Sequence, residues 1–278
     1  MSSLGVYLYC FTRSGAGRQI KAAGVDGHGK VTALDTGRAA AVFSTVRLDE
    51  FGGEAVASKA QDPQWLIPRA CEHERVIEEV MQTAPALPVR FGTIFSSSEA
   101  LERFLAKQGP ALARILDRLS DKEEWAVKGF VDLARLKEWL RVADPVLVEG
   151  RRRLPESPGA HYFRQKRLDA QVEEAVKFWR RGAADQVRAS LASFASDARP
   201  LRLQARSVTG RGAEMIFNMA YLLLRDDIDR FRERVSAAGA AYAEQGLTLE
   251  LSGPWPPYNF CPPLPEGQDE ALGVLRSA

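Results

Sequence analysis

The chain has 278 residues, enough for two domains of about 150 residues each or one barrel-sized unit, and enough to bury a real core. Its 45% hydrophobic and 27% charged residues exclude a disordered, collagen-like or membrane-embedded chain. Lys and Arg number 38 against 36 Asp and Glu, a net charge of +2, which excludes nucleic-acid or membrane-surface binding driven by bulk electrostatics.

Leu4 to Phe11 is rich in β-branched and aromatic residues with little alternation, so it predicts a strand buried on both faces. Thr12 to Lys30 carries five glycines and predicts a loop. Val31 to Leu34 and Ala39 to Val46 form a predicted hairpin across Asp35-Thr36-Gly37-Arg38. Asp62-Pro63 is an N-cap followed by proline at the first helical position. It opens a helix with Leu66, Ala70, His73, Ile77 and Val80 on one face, ending near Pro85. Leu87 to Phe95 predicts one strand. Ser96-Ser97-Ser98 then caps a helix whose Leu101, Phe104, Leu105, Leu112, Ile115, Leu116 and Leu119 share a face, with Gly109-Pro110 expected to kink or split it.

Glu124 to Asp132 predicts a strand and Leu133 to Val142 a short helix. Asp144 to Pro158, with Arg151-Arg152-Arg153, Pro155 and Pro158, predicts an exposed connector. A long helix is expected from about Ala160 to Arg181, with Leu168, Val172, Ala175, Val176 and Trp179 on one side, and a second helical piece ending near Ala198. Leu201 to Val208 and Glu214 to Leu224 predict strands. Asp226-Asp227 starts a helix with Ile228, Phe231, Val235, Ala238 and Tyr242 at helical spacing, and Leu247 to Leu251 closes the pattern as a strand. Gly253 to Pro265 has six prolines in thirteen residues, so it predicts an extended segment with exposed aromatic groups. From Glu124 on, the order strand, helices, two strands, helix, strand fits a split β-α-β unit of the ferredoxin-like kind with helices inserted in its first half. The expected fold class is therefore α+β in two domains, an N-terminal α+β domain at 1–121 and a modified ferredoxin-like domain at 122–253, followed by a proline-rich tail at 254–278.

Chemistry-bearing patterns are sparse. Cys10, Cys71 and Cys261 are too few and too far apart for a disulfide framework or a metal clip, and they point to a reducing cytoplasm. The N-terminus lacks the features of a signal peptide, and the apolar run Met215 to Leu224 is half of the roughly 20 residues a membrane-spanning helix needs. Gly24-Val25-Asp26-Gly27-His28-Gly29-Lys30 fits the core of a phosphate-binding loop. Val31 replaces its Ser or Thr, however, and a strand follows where the motif needs a helix, so a glycine-rich turn is the better reading. Gly15-Ala16-Gly17 lacks the third glycine of a dinucleotide fingerprint. His73 lies on the apolar face of its helix and is expected to be a buried histidine hydrogen-bonded to a backbone carbonyl or a partner strand. Cys71 cannot share its face as a metal ligand, and Glu78-Glu79, Glu123-Glu124 and Asp226-Asp227 are sequence neighbours that diverge or cap helices. No catalytic, cofactor-binding or metal-binding residues are assigned, and no cofactor is expected. The basic residues Arg151, Arg152, Arg153, Arg164, Lys166 and Arg167 could meet phosphate, as in an RNA-binding or regulatory module, but a solvated helix face is the preferred reading.

Several longer phrases occur in order: Val6-Tyr7-Leu8-Tyr9; Leu87-Pro88-Val89-Arg90-Phe91-Gly92-Thr93-Ile94-Phe95; Trp125-Ala126-Val127-Lys128-Gly129; Asn218-Met219-Ala220-Tyr221-Leu222; and Leu249 through Gly253-Pro254-Trp255-Pro256-Pro257-Tyr258-Asn259-Phe260. Together, from about Leu4 to Pro262, they resemble the gas vesicle protein F/L family, the GvpF/GvpL accessory proteins. Asn259 and Cys10 stand where that family often has serine and glycine. The resemblance implies a non-enzymatic, two-domain α+β accessory protein with a modified ferredoxin-like C-terminal domain. It also implies a protein that binds the small hydrophobic gas vesicle shell protein early in assembly, alone or with other accessory proteins. Such a protein works in the cytoplasm, associated with the gas vesicle, can remain a minor component of the shell, and needs neither nucleic acid nor membrane.

A shell subunit that must exclude water exposes apolar β surface and unpaired edges before assembly. A partner could cover these by strand addition or with an apolar groove. Trp255, Tyr258 and Phe260 are the candidate protein-binding residues, because a proline-rich segment is stiff and loses little entropy on binding. The alternative is that the tail packs back on its own domain and completes its core.

Overall fold

The protein is described by a computed structural model. It describes residues 3–262 except 18, 53–55, 57, 153–157 and 206–209, together with a short strand at Ala271–Gly273. The chain divides into two compact units, residues 1–123 with 254–278, and 124–253. Helices and sheets alternate along it, giving an α+β protein.

The first unit is built on β1 (Leu4–Arg13), whose residues 5–12 are all buried. Beside it lie β2 (Thr32–Asp35) and β3 (Ala39–Arg47). They are joined by a turn in which Gly37 takes φ +83° and its amide donates to Asp35 Oδ1 at 2.8 Å. Helix α1 (Pro63–Met81) starts as expected, with the Asp62 side chain accepting from the amide of Gln64. The strand expected at Leu87 to Phe95 is instead two short strands, β4 (Ala86–Pro88) and β5 (Ile94–Phe95), both antiparallel to β1. Between them Arg90 to Thr93 makes a tight turn: Gly92 adopts φ +82°, and Thr93 donates both its amide and its hydroxyl to Arg90 O. Helix α2 (Ser98–Leu119) runs unbroken through Gly109-Pro110, so the expected split is absent. The sheet order is β10-β5-β1-β3-β2, with β10 (Ala271–Gly273) on β5 and β4 also on β1.

A register shift in β1 between Leu8 and Cys10 decides what each face carries. An extra residue in a strand changes which side chains point to which side. Tyr7, Tyr9 and Cys10 all enter the cluster under α1, with Val76, Ile77, Val80 and Ile94. Phe11 and Phe95 instead meet Phe104 of α2, at ring distances of 5.7 and 5.5 Å.

The second unit is built from β6 (Lys122–Val131, from Glu124 on), α3 (Leu133–Ala143), α4 (Pro145–Arg152), α5 (Pro158–Ala192), β7 (Asp197–Pro200), β8 (Glu214–Leu224), α6 (Ile228–Ala241) and β9 (Leu247–Trp255, as far as Gly253). Its sheet order is β7-β8-β6-β9, so the first and third strands in sequence are the two central ones. Three expectations are corrected here. The connector expected at Asp144 to Pro158 contains α4: Asp144 Oδ1 accepts from the amides of Val146 and Leu147, and Leu147 is buried. The Asp-Pro start is the same signal as Asp62-Pro63, masked in the sequence by the arginine run. The two helices expected after it are one helix of 35 residues. Its first half packs with α3 and α4 through Leu168, Val172 and Val176, and its second half packs on the sheet through Ala184, Val187 and Leu191. Finally, the strand expected at Leu201 to Val208 lies earlier, with Asp197 opposite Leu222 and Pro200 opposite Met219. Residues 201–205 are outside any strand, and 206–209 are not among the described residues.

Candidate functional site

The proline-rich segment begins where β9 passes over Trp125. Gly253 has φ +143°, and a Cβ there would come within 2.9 Å of the Trp125 ring and 3.0 Å of Glu124 O, so only glycine lets the strand lie this close. Pro256 and Pro257 are buried. The chain then makes a 3-10 turn at Tyr258–Phe260, closed by the Phe260 amide donating to Pro257 O at 3.1 Å.

The three predicted residues have different surroundings. Trp255 is 46% exposed and Tyr258 36% exposed, whereas Phe260 is 1% exposed and sits in the first unit. Two side chains from distant parts of the chain hold the segment. Tyr258 Oη donates to Glu74 Oε1 of α1 at 2.8 Å, and Arg118 Nη2 of α2 donates to Phe260 O at 2.8 Å. Burial raises the Glu74 carboxyl above its ordinary range, the Tyr258 hydrogen bond opposes that, and nearby Glu78 adds to it. Burial, and then the Glu74 charge, drives the Tyr258 phenol strongly upward, so it stays protonated and a donor. Sequence reading missed Glu74 and Arg118. They lie 184 and 142 positions from their partners, and no local pattern marks a side chain whose partner is that remote.

Behind this surface His73 is 1% exposed. Its Nε2 faces Val89 O at 3.2 Å, and its Nδ1 faces Tyr7 Oη at 3.0 Å. A carbonyl only accepts, so Nε2 carries the proton and Nδ1 accepts from Tyr7. Tyr7 Oη in turn accepts from the Gly92 amide at 3.1 Å, and every member of the chain is satisfied. Burial holds the His73 pKa down at about 4, against the Val89 hydrogen bond. Tyr9 makes a parallel link, accepting from the Val25 amide at 2.7 Å and lying 2.7 Å from Ser44 Oγ, with burial raising its pKa to about 12. The phrases Val6-Tyr7-Leu8-Tyr9 and Leu87 to Phe95 are thus one buried network joining β1, α1 and the Gly92 turn. It is enclosed and structural in form.

In the glycine loop at 24–30 the backbone amides turn inward on the loop itself. Asp26 Oδ1 takes the amides of His28 and Gly29, and the Gly24 amide donates to Gly29 O. Arg151 and Arg152 end α4, while Arg153 lies outside the described residues. Among the described residues no group of three or more His, Cys, Asp or Glu side chains could hold a metal ion, and no helix is long and apolar enough to cross a membrane.

The sequence profile described as "Gas vesicle synthesis protein GvpL/GvpF" matches residues 5–262. The chain belongs to the GvpL/GvpF family. Gas vesicle protein L of Streptomyces sp. (strain CB03234) is 27% identical over 256 residues, covering 91% of each chain. Gas vesicle protein F of the same strain is 26% identical over 212 residues, covering 75% of this chain and 84% of that one. Identity to the two is similar, but the match to protein L extends over more of this chain. The crystal structure of GvpF from Anabaena sp. PCC7120 superposes with a TM-score of 0.67 at 17% identity, covering 94% of this chain and 97% of that one. GvpF from Microcystis aeruginosa gives 0.62 at 20% identity, covering 93% and 99%. These two structures share the fold, and the family is one of gas vesicle accessory proteins.

Proposed function

We propose that the protein is a cytoplasmic gas vesicle assembly factor that acts by binding, without catalysis. Its partner is the small hydrophobic shell protein, alone or with other accessory proteins, and it stays with the vesicle as a minor component. We take its second unit to be a modified ferredoxin-like domain, for which the strand order β7-β8-β6-β9 and the succession of elements are the support.

The observation that carries the binding reading is the setting of Trp255. Its ring is 46% exposed, while the residues after it are held by buried Pro256 and Pro257, the Tyr258 to Glu74 bond and the Arg118 to Phe260 bond. A large aromatic surface offered on an already ordered segment loses little conformational entropy when a partner covers it. The contact surface is Trp255 with the exposed edge of Tyr258, and Phe260 serves as the anchor that fixes them. An unassembled shell subunit with apolar β surface is the kind of partner that gains from such a cover.

The test is a tagged pull-down from cells co-expressing the shell protein, with an unrelated aggregation-prone β-rich protein as control. Selective, salt-tolerant recovery of the shell protein is expected. Trp255→Ala should lower that recovery roughly tenfold, in line with the loss of an aromatic anchor, while the far-UV spectrum and melting curve stay as in the parent. Absence of recovery with both proteins soluble, or full recovery by the Trp255→Ala variant, rejects this surface.

A further inference from the structure

Helix α5 has a second face that the fold leaves exposed. Leu168, Val172 and Val176 point into the second unit's core. A different stripe, Phe163, Arg167, Ala170, Gln171, Glu174 and Phe178, is exposed along its whole length. At 100° per residue these six fall within about 50° of one line along the helix. Phe163 is 73% exposed and Phe178 84%, the highest value among the large hydrophobic side chains described. Beside the stripe lies an open groove of about 420 Å³, lined on one wall by Val146 and Leu147 of α4 and on the other by Arg167, Ala170, Gln171 and Glu174. Val146 is itself 66% exposed. Two phenylalanines this exposed, with the groove wall of Val146 and Leu147 between them along the helix, are surface that a partner helix can cover.

The order of residues in the stripe selects the occupant. Positions equally far from the point between Ala170 and Gln171 are Phe163 with Phe178, and Arg167 with Glu174. An identical helix laid antiparallel across that point therefore puts phenylalanine against phenylalanine and arginine against glutamate, each twice. The small and neutral residues sit at the crossing, where helix axes approach to about 8–10 Å. A foreign helix would need the same spacing in reverse, and this chain already has it. Self-complementarity about a two-fold axis is the defining property of an isologous dimer interface.

We infer that this face pairs two copies of the chain, antiparallel through α5, with the axis between Ala170 and Gln171. Phe163 packs on Phe178 of the partner subunit, and Arg167 pairs with Glu174 of the partner subunit. The contact runs about 22 Å along each helix at 1.5 Å per residue. Glu174 also accepts from Lys177 Nζ at 2.7 Å, an exposed pair within one helix that is weak enough for the guanidinium of an arriving copy to join or displace. The same axis mirrors the like-charged Lys177 and Arg164, but these lie roughly 70° off the seam and stay in solvent. A seam of this length buries less than the roughly 800 Å² per partner of a standard interface. The dimer is accordingly expected in the micromolar range, dissociating on dilution.

Sedimentation equilibrium of the full chain, from roughly 1 to 200 μM, should show a reversible monomer–dimer equilibrium. Phe178→Ser should weaken it about tenfold or more with an unchanged far-UV spectrum. Arg167→Glu should weaken it to a comparable degree by placing like charges together at two points, and the double variant Arg167→Glu/Glu174→Arg should restore it. The two positions are seven residues apart on one helix, too far for that rescue to arise within a single chain. A register check is oxidative cross-linking of Gln171→Cys in a Cys71→Ser/Cys261→Ser background, which should give a covalent dimer, whereas Glu233→Cys on α6 should not. A wild-type chain that stays monomeric throughout overturns the inference. Failure of the charge-swapped double variant to recover dimerisation overturns the antiparallel pairing. A monomeric chain that loses capture of the gas vesicle shell protein on Phe178→Ser assigns the face to that partner instead, and equally overturns it.

Discussion

His73 shows how a single residue can make the whole fold sensitive to pH. In the unfolded chain an imidazole takes up its proton near pH 6.5. In the native core, burial delays this to about 4. Between these values the unfolded state binds more protons, so stability is complete above pH 6.5 and declines as the pH falls towards 4. The full difference corresponds to about 3 kcal/mol. The raised Glu74 carboxyl acts in the opposite sense, favouring the native state as it protonates, so the net curve alone does not isolate the histidine. Comparing wild type with His73→Gln does, because the other groups cancel in the difference. Urea unfolding at pH 7 and pH 4 should show the variant less stable at pH 7, with most of its disadvantage gone at pH 4. A disadvantage that is the same at both pH values would mean that His73 protonates normally in the fold.

At the scale of elements, glycines and prolines decide where strands bend and where they end. Gly37 and Gly253 both have positive φ, but a Cβ at Gly37 meets nothing within 4 Å, whereas at Gly253 it strikes Trp125 and Glu124 O. Gly37→Ala should therefore cost only the backbone penalty of about 1–2 kcal/mol, and Gly253→Ala about 1–3 kcal/mol more, from the clash and from a φ of +143° that is essentially closed to residues with a Cβ. Chemical denaturation of both variants measures the difference, and equal losses would show that β9 shifts away from Trp125 without cost. Much of this level was legible in the sequence. The Asp-Pro and serine caps, the run of buried residues in β1 and the helical spacing of α2 and α6 are local signals, and local signals survive into the fold. The misread elements all depended on distant partners. The break between β4 and β5 needs Tyr7 to receive the Gly92 amide, the strand at Asp197–Pro200 is placed by pairing with β8, and α5 continues past Arg181 because Ala184, Val187 and Leu191 find the sheet. In the tail, a proline-rich run has no period of 2 or 3.6, so nothing in it separates buried Phe260 from exposed Trp255. The α5 stripe, by contrast, has plain helical spacing, but its mix of charged, small and aromatic residues reads as an ordinary solvated face until the exposures of Phe163 and Phe178 are known.

At the scale of the whole molecule, the first unit is assembled from both ends of the chain, with about 130 residues between them folded as the second unit. Bringing the tail back across a flexible loop of that length would cost about 4 kcal/mol in closure entropy. Folding of the second unit removes most of this cost, because the chain enters on β6 and leaves on β9, which are neighbours in one sheet, with Gly253 beside Glu124 O. Docking of Tyr258 and Phe260 is therefore coupled to the integrity of a unit they do not belong to. The Tyr258 and Phe260 amides, which donate to Pro256 O and Pro257 O, are reporters of that docking. Phe231→Ala removes a fully buried ring from the second unit's core at a cost of about 3–5 kcal/mol. This opens a range of mild denaturant in which the second unit is unfolded while the first, followed through the Leu8 and Gly92 amides, is still folded. In that range hydrogen exchange at Tyr258 and Phe260 should speed up by about a thousandfold, the equivalent of the restored closure cost. Protection that persists there would mean the Glu74 and Arg118 contacts hold the tail unaided. The exposed Trp255 would then be presented even by a chain whose second unit has not yet folded.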